Sequence, residues 1–428
     1  MVFNLVNYFI IIFLIFLSFR FKILNIKEVI FLSIVSLAPF LLNDILIPFS
    51  KFSDQEGYFN RAIIFRSLEP SVLQLQNGYW PKGNYIESEH GDLSLIQLTL
   101  SNSKIFASLL FSLIPLPFIE NINSLGFFSK FTYIILIIFL IKKNFLSGEM
   151  KWFFIFYPSA ILYSSLGIKD IFIITFMILS FIYLIKEKYF LYFLFFIPLI
   201  FLRSHIAILV FIVSLFYLSF FSSKKIINII SSLMILVGAI VVLFNLEQFL
   251  YLINDYRKLI FLGEKMYVHV QDYSYKEYRD VTFNTSTAPG FVNPYDKKFF
   301  DIDKIKNVNL DYFYYLKINL ESFIFSLKGL INFTIKPLPW EATNKFQFIQ
   351  SLENIFLIIF FIKIFYFSNK QNLKKSIFWM LILLSNHMFY GLFYNNLGTI
   401  ARHSFVFNLV YFYILTFDCS LKINKKRA

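Results

Sequence analysis

Several short polar clusters interrupt the apolar runs of this chain, and each holds residue types that can do chemistry. Arg203 and His205 sit in Phe201-Leu-Arg-Ser-His205. Charge inside or at the edge of a membrane segment is costly, so such residues point to function by default. The planar fork of an arginine donates paired hydrogen bonds to a phosphate or diphosphate and cannot lose its proton. The competing reading is an interfacial arginine snorkelling to lipid headgroups. Lys169 and Asp170 follow Tyr163-Ser-Ser-Leu-Gly-Ile. They could neutralise each other, or Asp170 could favour the start of a helix. In a third arrangement Lys169 binds an anion that Asp170 orients.

Asp54 and Glu56 lie in Ser53-Asp-Gln-Glu-Gly-Tyr58. A carboxylate there could take the proton of an attacking sugar hydroxyl, or Ser53 or Asp54 could simply cap a helix. Pro337-Leu-Pro-Trp-Glu341 frames Trp340, either as an aromatic at the lipid boundary or as a platform for a sugar. Asn395 to His403 carries Arg402 and His403 beside the small residues Gly398 and Thr399. Arg402 and Arg203 would make two prongs around a diphosphate. Arg279 and Gly290 stand eleven apart, a spacing too common to weigh by itself. His90, His269 and His387 are scattered, no cluster has metal-ligand spacing, and the expected metal set is none. His387, mid-span, reads as a packed, hydrogen-bonded histidine.

The elements that must position these groups are membrane helices. Of 428 residues, 58% are hydrophobic and only 15% charged, which fits an integral membrane protein rather than a soluble one. Apolar segments run at 2–19, 28–49, 123–141, 151–165, 171–185, 189–202, 206–221, 226–244, 349–367, 376–393 and 404–419. The expectation is an all-α polytopic membrane protein of roughly 11 transmembrane helices, range about 10–14. Several segments fall short of a full crossing and suggest broken or tilted helices around a cavity. Residues 105–119, with Pro115 and Pro117, read as a re-entrant or outer-surface hairpin. The chain forms a single membrane domain, 1–428, with large outer loops at 50–104 and 245–347. The segment Phe323 to Ile335 reads as interfacial.

Bare lysines and arginines gather in alternate links: Arg20 to Lys27, Lys142 to Lys151, Lys186 to Lys188, Lys224 and Lys225, Lys370 to Lys375, and Lys422 to Arg427. Such residues favour the cytoplasmic side. The N-terminus is therefore expected outside, the C-terminus inside, and the chemically capable links outside. The formal charge of +14 is explained by topology and anionic lipid, so no nucleic-acid partner is expected. The single Cys419 excludes an internal disulfide framework. No glycine-rich phosphate loop is present, so an ATP-driven motor is not expected, and no cofactor is called for. The 60 phenylalanines look like compositional bias rather than a binding device.

Asp54-Gln-Glu-Gly-Tyr58, Pro158-Ser159 with Gly167-Ile-Lys-Asp170, Leu202-Arg203, Pro337-Leu-Pro-Trp340 and Gly398-Thr-Ile-Ala-Arg402 together resemble the bacterial O-antigen and capsule repeat-unit polymerases of the Wzy type. The Arg279-to-Gly290 spacing also looks like a pattern of such enzymes. The resemblance implies a fold similar to the membrane glycosyltransferases of the GT-C class, in the bacterial inner membrane. It implies undecaprenyl-diphosphate-linked glycan substrates, the lipid bilayer and a possible chain-length regulator as partners. The reaction it implies is metal-independent transfer. Arg203, Arg402 and Lys169, with Arg279, Trp340 and His403, would hold the donor, and the lipid diphosphate would leave. One of Asp54, Glu56, Asp170 or His205 would accept the proton of the acceptor hydroxyl. The alternatives are another transferase using polyprenyl-linked sugar, a glycan ligase or, from a different class, a flippase for lipid-linked oligosaccharide. For the flippase, only Asp44 and His387 offer charge or polarity midway through a span.

Overall fold

The computed structural model describes residues 2–42, 53–67, 103–119, 122–146, 148–254, 257, 316–342, 345–367, 370–393 and 397–424. The regular elements among them are helices: α1 (Val2–Arg20), α2 (Ile26–Val35), α3 (Ala38–Leu41), α4 (Ser53–Ser67), α5 (Ser103–Ser112), α6 (Ile122–Lys142), α7 (Glu149–Phe156), α8 (Pro158–Tyr163), α9 (Asp170–Ile185), α10 (Tyr189–Leu202), α11 (Ser204–Phe221), α12 (Lys225–Phe244), α13 (Leu320–Ile335), α14 (Lys345–Phe367), α15 (Lys370–Gly391) and α16 (Leu397–Asn424). Residues 246–254 are also helical.

Among the described residues, four stretches are long and apolar enough to cross a bilayer: Phe3–Arg20, Asn123–Lys142, Ser204–Phe221 and Lys225–Phe244. With the composition, they make this a helical membrane protein. At 1.5 Å per residue, a 20-residue helix matches the roughly 30 Å hydrocarbon core. The helix α12 is exposed along almost its whole length, including Leu233, Leu236, Val237 and Val241. In water such a surface would drive aggregation; in a bilayer it faces lipid tails. By contrast α9, only 16 residues long, has most of its residues buried between Asp170 and Leu184 and packs against α10, α16 and α6. A helix enclosed by protein need not match the bilayer thickness itself.

Lipid tails are as apolar as leucine, so burial alone does not drive these helices together; close packing and internal hydrogen bonds do. Hydroxyls inside α9 are returned to the helix, with Thr175 Oγ1 donating to the Ile171 carbonyl at 2.8 Å and Ser180 Oγ to Phe176 at 2.7 Å. Gly329 of α13 and Gly391 of α15 let two backbones touch. A Cβ on Gly329 would stand 2.8 Å from the Gly391 carbonyl oxygen. At one end of the bundle the buried Asp418 accepts from Tyr217 Oη at 3.2 Å and Trp379 Nε1 at 3.0 Å, and pairs with Lys375. This joins α11, α15 and α16.

Several of the basic links meet at one end of the bundle. Glu28, from the Asn25 capping box, pairs with Lys151 at 3.0 Å. Lys186 lies over the Phe145 ring, and Tyr413 Oη donates to the Phe145 carbonyl. Glu187 accepts from the Ser223 amide at 2.6 Å. The links around residues 20–28, 142–151, 186–188, 222–225 and 375 therefore gather at the Asp418 end.

Several sequence expectations need correction. The segment 28–49 is not one rod: α2 stops at Val35, and Ser36 and Leu37 turn before α3, whose second residue is Pro39. The segment 151–165 breaks at Tyr157, where Pro158 has no N–H to continue the ladder. The two outer loops contain helices. Within 50–104, α4 begins at Ser53, and Arg66 near its end donates to the carbonyls of Ser112, Ile114 and Leu116. Within 245–347, α13 packs along α15. The segment 105–119, expected as a re-entrant or outer-surface hairpin, opens with a helix too short to cross by itself. Its helix α5 has ten residues, about 15 Å, or half the hydrocarbon core. The chain then runs irregularly to Phe118, whose carbonyl accepts from Asn7 Nδ2 at 2.8 Å.

Candidate functional site

The end of the bundle opposite Asp418 holds the charged cluster. Tyr192 Oη donates to Ser214 Oγ at 3.0 Å, and both residues stand eleven from Arg203. The helices α10 and α11 therefore form an antiparallel hairpin with Arg203 alone as its turn. Arg203 is extended, at φ −158° and ψ 97°. This places the guanidinium at the tip, beside the start of α9.

There Asp170 is fully enclosed. Its Oδ1 pairs with Arg203 Nη2 at 3.2 Å, and its Oδ2 accepts from Arg402 Nε at 2.5 Å. The arginine side chains keep only 10% and 19% of their exposure. A carboxylate at the first turn of α9 also meets the positive end of that helix. Three segments more than thirty residues apart are thus tied by one side chain.

Arg203 Nη1 lies 3.0 Å from His403 Nδ1. A guanidinium only donates, so Nδ1 accepts and the imidazole carries its proton on Nε2. The Tyr390 ring lies 5.7 Å from His403 and 6.1 Å from His205, which is exposed in the first turn of α11. Lys169 Nζ donates to Ser103 Oγ at 2.9 Å and to the Leu202 carbonyl at 3.1 Å. It joins α5 to the hairpin instead of neutralising Asp170 directly. Gln55 Oε1 accepts from the Gly167 amide at 2.7 Å, which brings α4 to the same end.

The structure thus brings together Arg203, Arg402, Asp170, Lys169, His205 and His403. Their arrangement differs from the expected one in one respect. Both oxygens of Asp170 face arginines, so it holds the two prongs rather than orienting an anion on Lys169. The same geometry leaves it badly placed to take a proton from an acceptor. Trp340 is 79% exposed on a turn after α13. Asp54 and Glu56 belong to α4, but their side chains, like Arg279, Gly290 and Asp44, lie outside the described residues. Among the described residues no group of three potential ligands is placed to hold a metal ion. A pocket of about 440 Å³ lies at the other end, lined by Arg20, Lys22, Glu28 and Lys151, well away from the arginine cluster.

Buried ionisable residues were missed, Lys130 and Glu353 among them. Lys130 of α6 is fully enclosed and donates to Ser164 Oγ at 2.6 Å and the Ile161 carbonyl at 3.3 Å. Glu353 of α14 is 5% exposed and accepts from the Ser159 amide at 3.1 Å and its hydroxyl at 2.8 Å. Both satisfy the ends of the short helix α8, left open by the break at Pro158. Each stands as a lone charge inside an apolar run, which was the available signal. His387 is packed as expected, its Nδ1 3.0 Å from Thr334 Oγ1.

The fold and cluster define a helical membrane protein with a cationic site at one end. Comparison with family models, characterised proteins and solved structures finds no match for the chain.

Proposed function

We propose that this protein joins undecaprenyl-diphosphate-linked oligosaccharide repeat units into a surface polysaccharide, at the outer face of the bacterial inner membrane. The observation that supports this reading is the convergence of Arg203 and Arg402 at one end of the bundle. With Lys169 nearby, three cations converge around one carboxylate, an arrangement whose donors suit an incoming diphosphate. The guanidiniums stabilise the charge that develops on the departing lipid diphosphate. Asp170 acts as a positioning residue that keeps both forks aimed at one place. His205, exposed two residues after Arg203, is the proton acceptor for the sugar hydroxyl, with Asp54 and Glu56 as alternatives. The energy comes from the diphosphate linkage, and the fold is of the membrane glycosyltransferase kind.

A second reading, a flippase for lipid-linked oligosaccharide, draws support from Lys130 and Glu353, because buried ionisable groups within the bundle suit a transport path.

The test is a gel of surface polysaccharide from a deletion strain carrying the wild type or Arg402→Ala. Loss of the ladder, with a single repeat unit still attached to the lipid core, is the expected result. An unchanged ladder with folded Arg402→Ala and Arg203→Ala would remove this site. Absence of even the single unit, with lipid-linked units retained inside, would favour the flippase.

A further inference from the structure

The carboxyl of Glu353 has a distinctive setting. Both of its donors, the Ser159 amide and hydroxyl, fall on the same oxygen, Oε2. Its Oε1 receives no hydrogen bond among the described residues, and no cation there pairs with the group. Beside it the Tyr157 hydroxyl is enclosed, within weak hydrogen-bonding reach of Glu353 and of Asn408. An ionised carboxylate without a counter-charge in a bundle interior is costly, and such a group lowers the cost by taking up a proton. The free Oε1 is the atom to carry it, and the neighbouring phenol oxygen is the natural acceptor for the new O–H.

We propose that Glu353 is a proton-binding site within the bundle, with Oε1 as the protonated atom and Tyr157 as its hydrogen-bond partner. The step is simple: the carboxylate takes a proton from hydronium, leaving water and a neutral acid, and releases it in reverse. The surrounding groups are identifiable. Tyr157 and Tyr163 approach from the broken segment, and Asn408 of α16 lies against Tyr157; on the side of α13, Asn354 Nδ2 of α14 donates to the Ile335 and Lys336 carbonyls, and Lys336 is itself paired with Glu341. Lys130 is held on Ser164 at the far end of α8 and forms no ion pair with Glu353.

This site is linked to the arginine cluster. Tyr163 is within electrostatic reach of Glu353, Asp170 and Arg402 alike. Phe405, two residues after His403, stacks between Tyr157 and Tyr163, with ring centroids 6.0 and 5.0 Å away. Glu353 and the Asp170–Arg402 pair thus share Tyr163 as a common neighbour. The inference does not depend on whether the cluster serves polymerisation or transport.

The alternative is that Glu353 only caps α8. Infrared difference spectra of the full chain in lipid nanodiscs, recorded from about pH 9 to about pH 4, separate the two. Expected is a carboxylic-acid carbonyl band that grows on acidification as a single-proton titration and is missing from Glu353→Gln. The amide of that variant still accepts from Ser159, so capping is retained. Identical pH-difference spectra for wild type and Glu353→Gln would overturn the proposal. If Glu353→Gln does not fold, Tyr157→Phe replaces it. A titration midpoint displaced by about one pH unit supports the site, and an unmoved midpoint overturns it.

Discussion

Replacing Asp170 by asparagine tests the arginine cluster most directly. The side chain has no exposed surface, and its two guanidinium partners are nearly enclosed. Asparagine keeps the shape and removes the charge, so Arg203 and Arg402 then approach each other with no negative charge between them. Removing one member of a buried ion pair costs about 3–5 kcal/mol, most of it the penalty of the charge left behind. With an unfolding entropy of about 2.1 cal/mol/K per residue, a chain of this length loses about 3–6 °C in melting temperature. The assay is thermal unfolding in nanodiscs, followed by intrinsic fluorescence. A second variant makes it discriminating. Arg402→Gln added to Asp170→Asn removes one of the two stranded cations, so the double variant is expected to lose about 1–3 kcal/mol less than the sum of the singles. Effects that add to within about 0.5 kcal/mol would refute the idea that Asp170 balances these charges.

Two further outcomes follow from the packing and from the turns. Gly329→Ala pushes a methyl against the Gly391 backbone, which has no far end to swing away; a cost of about 1–3 kcal/mol is expected, read as a lowered melting temperature. Glu187, in the turn between α9 and α10, is held below the usual carboxylate range, first by the Ser223 hydroxyl and then by the Ser223 amide. Its folded value is depressed, so its stabilising contribution is present above the unfolded value of about 4.3 and fades as pH falls through the folded one. The group is partly exposed and the contribution small; Glu187→Gln should lower the melting temperature slightly at neutral pH, leave it unchanged below the folded value, and so flatten the acid side of the profile.

Much of the cluster was legible because its members break apolar runs. Arg203, Lys169, Asp170 and Arg402 stand out as charges between greasy segments, and the rule that membrane charge is expensive selects them without a structure. What the sequence does not carry is their pairing. Lys169 and Asp170 are neighbours in the chain, yet Asp170 turns to arginines 33 and 232 residues away. The spans were legible where proline was absent. Pro39 and Pro158 each mark a break that a hydropathy reading passes over, because the residues on both sides are equally apolar. Helix α4 was half legible: Ser53 or Asp54 was an available cap, but the polarity of Ser53-Asp-Gln-Glu-Gly also suits a loop, and its packing against α5 is a tertiary fact. Lys130 and Glu353 were diluted by the leucines, isoleucines and phenylalanines around them.

The single-residue turn at Arg203 has a consequence for how this chain can vary over time. Each residue added to or lost from a helix rotates everything beyond it by about 100° and shifts it by 1.5 Å. Between Tyr192 and Ser214 there is no slack to absorb such a change, because Arg203 is all the connection there is. An insertion or deletion there would swing the guanidinium away from Asp170 while leaving composition and hydropathy almost untouched. Drift in this stretch is therefore confined to substitution, and the number of codons between Tyr192 and Ser214 is as much a part of the site as the arginine itself.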